Sequence, residues 1–370
     1  MDKVKILMVL NNPGRSGAQT YAVNVLRSID RSRFQVDFLF SVDKENSYRE
    51  EIESLGSNIY FIPQFKVVNY FNYVSAWNRL LKNNKYDIVH GHVSSSASIY
   101  LKIAKQHGCK TIAHSHSTGY RGNFFERIVK RVFTIGAKWY ADYWFACSEE
   151  AAKRLFGRKL KNNSRFYLMP NSIDVNRFLF NSNIREEIRK KHGIEKESLV
   201  CGHVGSFSAP KNHKFLLNVF KIVLEKNKDS RLILVGDGYL RKEIERYAKE
   251  LGVFDSIIFT GNVGNANEYM MAMDTMIFPS VFEGFGFSIL EAQATGLYTL
   301  MSNAIPEDVV LTDIVKVLPL SAGALEWKKA IGVVPLNERI KYNAIIKGSN
   351  YNVEKKVLEL SELYAKIVRN

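Results

Sequence analysis

Short apolar runs alternate with amphipathic segments along almost the whole chain. Residues 4–10 are apolar apart from Lys5 and predict a buried strand, and 19–29 carry their apolar residues at helical spacing. Further strands are predicted at 34–40, 59–62, 87–90 and 111–114, with helices at 48–55 and 96–107. Apolar runs that are continuous rather than alternating suit strands covered on both faces, as in parallel sheets flanked by helices. The same order restarts near residue 199, with strands at 199–204, 231–235, 257–259 and 275–279 and helices at 214–226 and 240–251. The last segment, 352–368, sets Val357, Leu358, Leu360, Leu363, Tyr364 and Ile367 at helical spacing, and its pattern leaves open which half it joins. Residues 176–196 are polar, charge-rich and weakly patterned, and read as a boundary. The expectation is an α/β chain of two Rossmann-like domains, 1–180 and 199–350, followed by a helix at 351–370. A length of 370 residues suits two cores better than one. Open parallel sheets bind ligands outside the carboxyl ends of their strands, so a central cleft is expected and the loops at those ends are where chemistry is sought.

Composition narrows the class. With 46% hydrophobic residues the chain is globular, and no run of eighteen apolar residues is present to span a membrane. The five apolar residues 6–10 are too few for a signal peptide. Cys109, Cys147 and Cys201 are odd in number, far apart and without ligand spacing, which implies a reduced, cytoplasmic setting. The net charge of +15 is uneven: residues 101–165 hold fourteen Lys and Arg against four Asp and Glu. Within them, 124–133 is apolar at helical spacing and carries Arg127, Lys130 and Arg131, with Lys138 following. That pattern fits either a solvated core helix or a helix lying on an anionic leaflet. No nucleic-acid recognition module is visible, which argues against that partner.

Four loops offer chemistry. In Phe282-Glu283-Gly284-Phe285-Gly286-Phe287-Ser288-Ile289-Leu290-Glu291, two glutamates bracket a glycine turn and the start of a helix. Free amides and the helix dipole there favour an anion, and carboxylates on both sides favour hydroxyl groups. Together they suit a phosphate that carries a sugar on each side. Ser288 to Glu291 also has the form of a capping box, which would give Glu291 a purely local role. Lys211 follows the Gly205 turn and Pro210 just before a helix, where its ammonium could reach a phosphate. The loop 11–18 has only Gly14 and Gly17, short of the dinucleotide fingerprint, so a nicotinamide cofactor is not expected. His114 and His116 share one face at a strand end, and His90 with His92 repeat the spacing. No carboxylate or cysteine accompanies them at ligand spacing, which argues against a metal site; each suits the core or the cleft equally, and His116, nearest the loop, is the candidate for the cleft.

These phrases together resemble the retaining glycosyltransferases of family 4. The resemblance spans nearly the whole chain. It rests on Ser16-Gly17-Ala18, His114-Ser115-His116, Ala146-Cys147-Ser148-Glu149, Pro170-Asn171-Ser172-Ile173-Asp174 and the Gly205 to Asn212 loop. It continues through Val235-Gly236-Asp237-Gly238, Phe259-Thr260-Gly261, the Glu283/Glu291 phrase and the final helix, which in the family returns to the first domain. The family has the GT-B fold. The resemblance implies that Glu283 holds donor-sugar hydroxyls, Glu291 the ribose, and the amides around Ser288, Ile289 and Leu290 the diphosphate. Gly205, Ser206, Phe285, Gly286 and Phe287 would complete the donor loops, and Lys211 would neutralise the leaving nucleoside diphosphate. Asn262 and Val263 would line the base pocket, while His116 and Gly17 would approach the donor from the first domain. Two departures stand out: Ser206 occupies the place of the family's usual arginine, and Tyr239 that of a proline.

The resemblance further implies metal-independent transfer with retention, from a nucleotide sugar (UDP being the commonest carrier) and with no cofactor. The acceptor it implies is a polyprenyl-diphosphate-linked saccharide at the inner face of the cytoplasmic membrane, in capsule or exopolysaccharide synthesis. A homo-oligomer is left open. So are a sugar-nucleotide epimerase or hydrolase of the same fold and a non-catalytic partner subunit.

Overall fold

The computed structural model describes residues 3–14, 17–44, 47–116, 136–157 and 163–369. The chain forms two compact units, one of Met1–Ser172 with Val353–Asn370 and one of Ile173–Asn352.

The first unit holds a seven-stranded parallel sheet in the order β3-β2-β1-β4-β5-β6-β7. Its strands are β1 Val4–Val9, β2 Phe34–Phe40, β3 Ile59–Phe61, β4 Ile88–Gly91, β5 Lys110–Ser115, β6 Tyr143–Ala146 and β7 Phe166–Leu168. The central strands are the continuous apolar runs; β1, which pairs with β2 and β4, buries Ile6, Leu7, Met8 and Val9 almost completely. The edge strands β3 and β7 are three residues long and half-exposed. The sequence pattern predicted β3 but left both β6 and β7 unassigned.

The final helix, Val353–Arg369, belongs to this unit. It lays Val353, Val357, Leu360, Tyr364 and Ile367 on the core that β1, β2 and the helix Gly17–Ser28 also build. The spacing of these residues is one stripe of an α-helix, and Leu358, off the stripe, is exposed.

The second unit holds a six-stranded parallel sheet in the order β10-β9-β8-β11-β12-β13. These are β8 Val200–Val204, β9 Arg231–Val235, β10 Ile257–Gly261, β11 Thr275–Phe278, β12 Tyr298–Ser302 and β13 Val315–Leu318. The chain enters and leaves this unit through neighbouring residues, since Ile173 and Asn352 form a parallel bridge.

The polar stretch 176–196 is not the spacer its composition suggests. It contributes the helix Ser182–Lys191, in which Arg185 and Arg189 are buried. Composition misleads here because these guanidiniums are matched by carbonyls and one carboxylate. Arg185 Nη1 donates to the carbonyls of Met271, Ala272 and Met273 at 3.1, 3.0 and 3.1 Å. Arg185 and Arg189 both pair with Asp274, at 2.6 and 2.7 Å. A charge so satisfied can be buried without a prohibitive penalty.

Candidate functional site

In the second unit the strand order reverses between β8 and β11, the adjacent strands at the middle of the sheet. This is the switch point where open α/β sheets leave a crevice at the carboxyl ends. The loops after these two strands carry Lys211 and Glu283.

The loop after β8 turns at Gly205. A Cβ there would stand 3.0 Å from His203 Nε2 and 3.2 Å from Lys211 Cε, so the bare backbone lets the lysine stem fold back over the strand end. The loop ends in the short turn Ala209–Lys211, and Asn212 then adopts φ 54°, the one non-glycine left-handed residue among those described. Asparagine tolerates that region better than most side chains. The Val281 amide donates to the Pro210 carbonyl at 2.8 Å and ties the two loops together.

Lys211 and Glu283 form an ion pair, with their side chains 15% and 21% exposed. The ammonium also lies 4.4 Å from the centre of the Phe278 ring, where the aromatic face favours a cation. Each member therefore neutralises the other at the mouth of the crevice. A diphosphate would compete for the lysine and leave the carboxylate open to hydroxyl donors.

The helix Phe287–Ala294 begins beside them. Gly286, at φ 94°, is its N-cap, and no side chain caps it. The capping box expected of Ser288 and Glu291 is not formed, because the helix starts earlier and puts Ser288 inside its first turn. The expected run of open amides is also corrected. Ile289 and Leu290 donate to the Gly286 carbonyl at 2.9 and 3.3 Å. Phe287 and Ser288 keep the helix's unpartnered amides among the described residues, and these remain suited to an anion.

Glu291 is half-buried, and burial raises its carboxyl to about 7, with the charge of Arg177 pulling the other way. Arg177 was not singled out from the sequence. It lies on the turn Val175–Phe178, three residues beyond Asp174, whose carboxylate caps that turn by accepting the Asn176 amide at 3.2 Å. Its Nη2 donates to the Gly264 carbonyl at 3.4 Å, in the loop that carries Asn262 and Val263. Asn262 is exposed, whereas Val263 packs against the core. Phe285, expected at the donor, is half-buried and packs on one side against the core, with Phe287 and Tyr351 rings 5.1 and 5.2 Å away. Ser206 is exposed, its hydroxyl 2.9 Å from that of Ser208, and brings no charge to the loop.

In the first unit the switch point falls between β1 and β4. Gly17 opens the helix that follows β1. At the ends of β4 and β5, His90, His92, His114 and His116 stack into one cluster, His114 and His116 with ring centres 4.0 Å apart. The shared face read from their spacing is thus real, but His90 and His114 are fully buried and only His116 is half-exposed. His90 Nδ1 lies 2.6 Å from Tyr364 Oη, His90 Nε2 3.1 Å from His114 Nδ1, and His92 Nδ1 2.7 Å from His116 Nε2. Tyr21 packs edge-on against His114 at 4.9 Å. Burial lowers His116 to about 4 and His90 to about 3. His116 is therefore a neutral imidazole at pH 7, able to hydrogen-bond a sugar but not to replace a missing cation.

Of the basic residues proposed for a membrane face, Arg127, Lys130 and Arg131 lie outside the described residues. Lys138 is exposed on the short helix Ala137–Tyr140, next to Trp139, which is 76% exposed. Among the described residues no helix is long and apolar enough to cross a membrane.

Known proteins share this organisation. Residues 15–177 match Glycosyltransferase Family 4, and residues 184–326 match Glycosyl transferases group 1. The EpsF protein of Bacillus subtilis (strain 168), named as a glycosyltransferase, is 32% identical over 309 residues, covering 82% of this chain and 80% of its own. The UDP-Gal:alpha-D-GlcNAc-diphosphoundecaprenol alpha-1,3-galactosyltransferase of Escherichia coli is 24% identical over 397 residues, covering 100% of this chain and 98% of its own. Among solved structures, Anabaena Alr3699/HepE in complex with UDP superposes with a TM-score of 0.77 at 17% identity, over 98% of this chain and 100% of that one.

Proposed function

The chain belongs to the family 4 glycosyltransferases and has their GT-B fold of two Rossmann-like domains, and from that premise we propose a specific reaction. It transfers a hexosyl group from a nucleotide sugar, with UDP as the first carrier to test, to a hydroxyl of a lipid-linked saccharide, and keeps the anomeric configuration. The observation that carries this reading is the Lys211–Glu283 pair at the carboxyl ends of β8 and β11, beside the open amides of Phe287 and Ser288.

In this reading the diphosphate takes the place of Glu283 on Lys211 and the helix amides add further donors. Such preorganised donors stabilise the charge that develops on a leaving phosphate. The freed Glu283 carboxylate accepts from sugar hydroxyls, Glu291 accepts from the ribose, and Asn262 with Val263 borders the base. His116 and Gly17 serve the transferred sugar. No metal at the diphosphate and no cofactor is needed. A carboxylate pair acting as glycosidase acid and base is not invoked, because hydroxyl binding accounts for both glutamates.

The acceptor and location rest on similarity and charge. The Escherichia coli relative is named for a diphosphoundecaprenol-linked acceptor, and this chain has net charge +15. We therefore place the enzyme on the anionic inner face of a bacterial cytoplasmic membrane, in capsule or exopolysaccharide synthesis. Ser206, at the place where the family resemblance implies an arginine, favours a slower enzyme or a partner subunit as the second reading.

The test is calorimetric titration with a panel of nucleotide sugars, followed by turnover with and without a polyprenyl-diphosphate saccharide. Binding of one donor, and sugar transfer that needs the acceptor, is the expected result. Binding without turnover supports the partner subunit. Equal donor consumption without acceptor supports a hydrolase, and an inverted product by NMR contradicts retention.

A further inference from the structure

The transfer reaction gives a role to His116 but none to the three imidazoles behind it. Among the described residues, His90, His92 and His114 each present a ring nitrogen within 4.8 Å of the others. A tetrahedral zinc ion with bonds of about 2.0–2.1 Å would hold such nitrogens about 3.3 Å apart. His90 Nε2 and His114 Nδ1 are already 3.1 Å apart, and small ring rotations bring in the third.

Two further observations point to a ligand. His116 and Asn171 answer each other, whereas His114 is only 1% exposed, and its Nε2 has no well-formed hydrogen bond and reaches only toward the Met169 backbone. Buried polar atoms are rarely left in this state. The outer nitrogens, by contrast, are already oriented. Tyr364 Oη stands 2.6 Å from His90 Nδ1 and can accept its N–H, which leaves Nε2 with a free lone pair. His116 Nε2, 2.7 Å from His92 Nδ1, does the same for His92. The other nitrogen of His92 faces the Met8 thioether at 3.3 Å, a soft donor for a fourth position. Ligating histidines are held this way by partners on their second nitrogen.

We propose that His90, His92 and His114 form a binding site for a late first-row transition-metal ion, with zinc(II) as the probe, separate from the diphosphate chemistry. Neutral imidazoles bind such an ion without losing a proton: with His90 protonated on Nδ1, the proton of His114 moves from Nδ1 to Nε2 as its tautomer changes. Nitrogen and thioether donors exclude magnesium and calcium, which require oxygen. Tyr364 lies on the helix Val353–Arg369, so the ion would fasten that helix to the ends of β4 and β5.

The experiment uses full-length, tag-free protein stripped with chelator and given zinc chloride or magnesium chloride, with metal measured after gel filtration. One zinc and no magnesium per chain, a tetrahedral visible spectrum with cobalt(II), and amide exchange in 353–369 slowed about tenfold or more are expected. His90→Gln and His114→Gln should lose zinc, while His107→Gln and His192→Gln should keep it. Tyr364→Phe should weaken binding about tenfold without changing stoichiometry. Circular dichroism checks that each variant folds; if the histidine variants do not, the cobalt spectrum and Tyr364→Phe decide. No retained zinc, a spectrum that is not tetrahedral, or zinc held equally by His114→Gln would overturn the proposal.

Discussion

Strand β11 has a charge cluster at each end, and the two are built to opposite purposes. At its amino end Asp274 is held by Arg185 at 2.6 Å, by Arg189 at 2.7 Å and by the Val200 amide at 2.8 Å. The guanidiniums spend their remaining donors on carbonyls, Arg185 at the end of the helix Ala266–Ala272 and Arg189 both there and on the 195–198 segment, and Arg339 joins them at the helix end, 3.2 Å from the Met271 carbonyl. Every charge is answered several times, and a ligand would find nothing to bind. At the carboxyl end Glu283 has Lys211, and Lys211 has Glu283 and one aromatic face. A pair with so few partners is easily exchanged for a ligand. Saturation marks the first cluster as structural, and its lack marks the second as a site.

The largest expected effect separates the two ends directly. Asp274→Ala leaves two guanidiniums buried without their carboxylate and should cost about 3–5 kcal/mol of unfolding free energy in urea denaturation. Glu283→Ala, at a pair on the rim of the crevice, should cost about 1 kcal/mol or less. Equal losses would break the distinction.

A smaller effect concerns pH. The folded carboxyl of Glu291 is raised from 4.5 to about 7, so between these values the folded state binds more protons than the unfolded one. This contribution to stability is intact below about pH 4.5, declines as pH rises toward about 7, and stays lost above, by about 3 kcal/mol at most. Glu291→Gln should flatten that decline. If ribose hydroxyls donate to the ionised carboxylate, nucleotide-sugar affinity should rise between about pH 6 and pH 8 in the parent and not in the variant. A parallel rise in both would remove Glu291 from the site.

The smallest effect tests the loop that delivers Lys211. Asn212→Ala forces alanine into φ 54° and should cost about 1 kcal/mol, whereas Asn212→Gly should cost little. An indifferent alanine variant would mean that the loop is not held in that conformation.

Much of this was legible in the residues. Continuous apolar runs such as 4–10 and 275–279 identify parallel strands, and the glycine turns after β8 and β11 place Lys211 and Glu283 at strand ends. The rest depends on contacts that no local pattern shows. The Asp274 cluster joins residues separated by 85 to 89 positions, and the arginines that build it look like a solvated spacer. Tyr364 meets His90 across 274 positions, so neither the enclosure of the histidines nor the seat of the last helix follows from spacing. Ser288 misleads in the other direction. It has the local form of a cap, but the left-handed Gly286 begins the helix first.

The central claim is that the carboxyl ends of β8 and β11 bind the diphosphate of a sugar donor through Lys211. Calorimetric titration of UDP, with ADP and GDP in parallel, into the parent protein and Lys211→Ala tests it most directly. The account predicts saturable one-to-one binding of one nucleotide to the parent and a loss of at least about tenfold in the variant, with thermal stability unchanged. Equal affinity in the two proteins would contradict it.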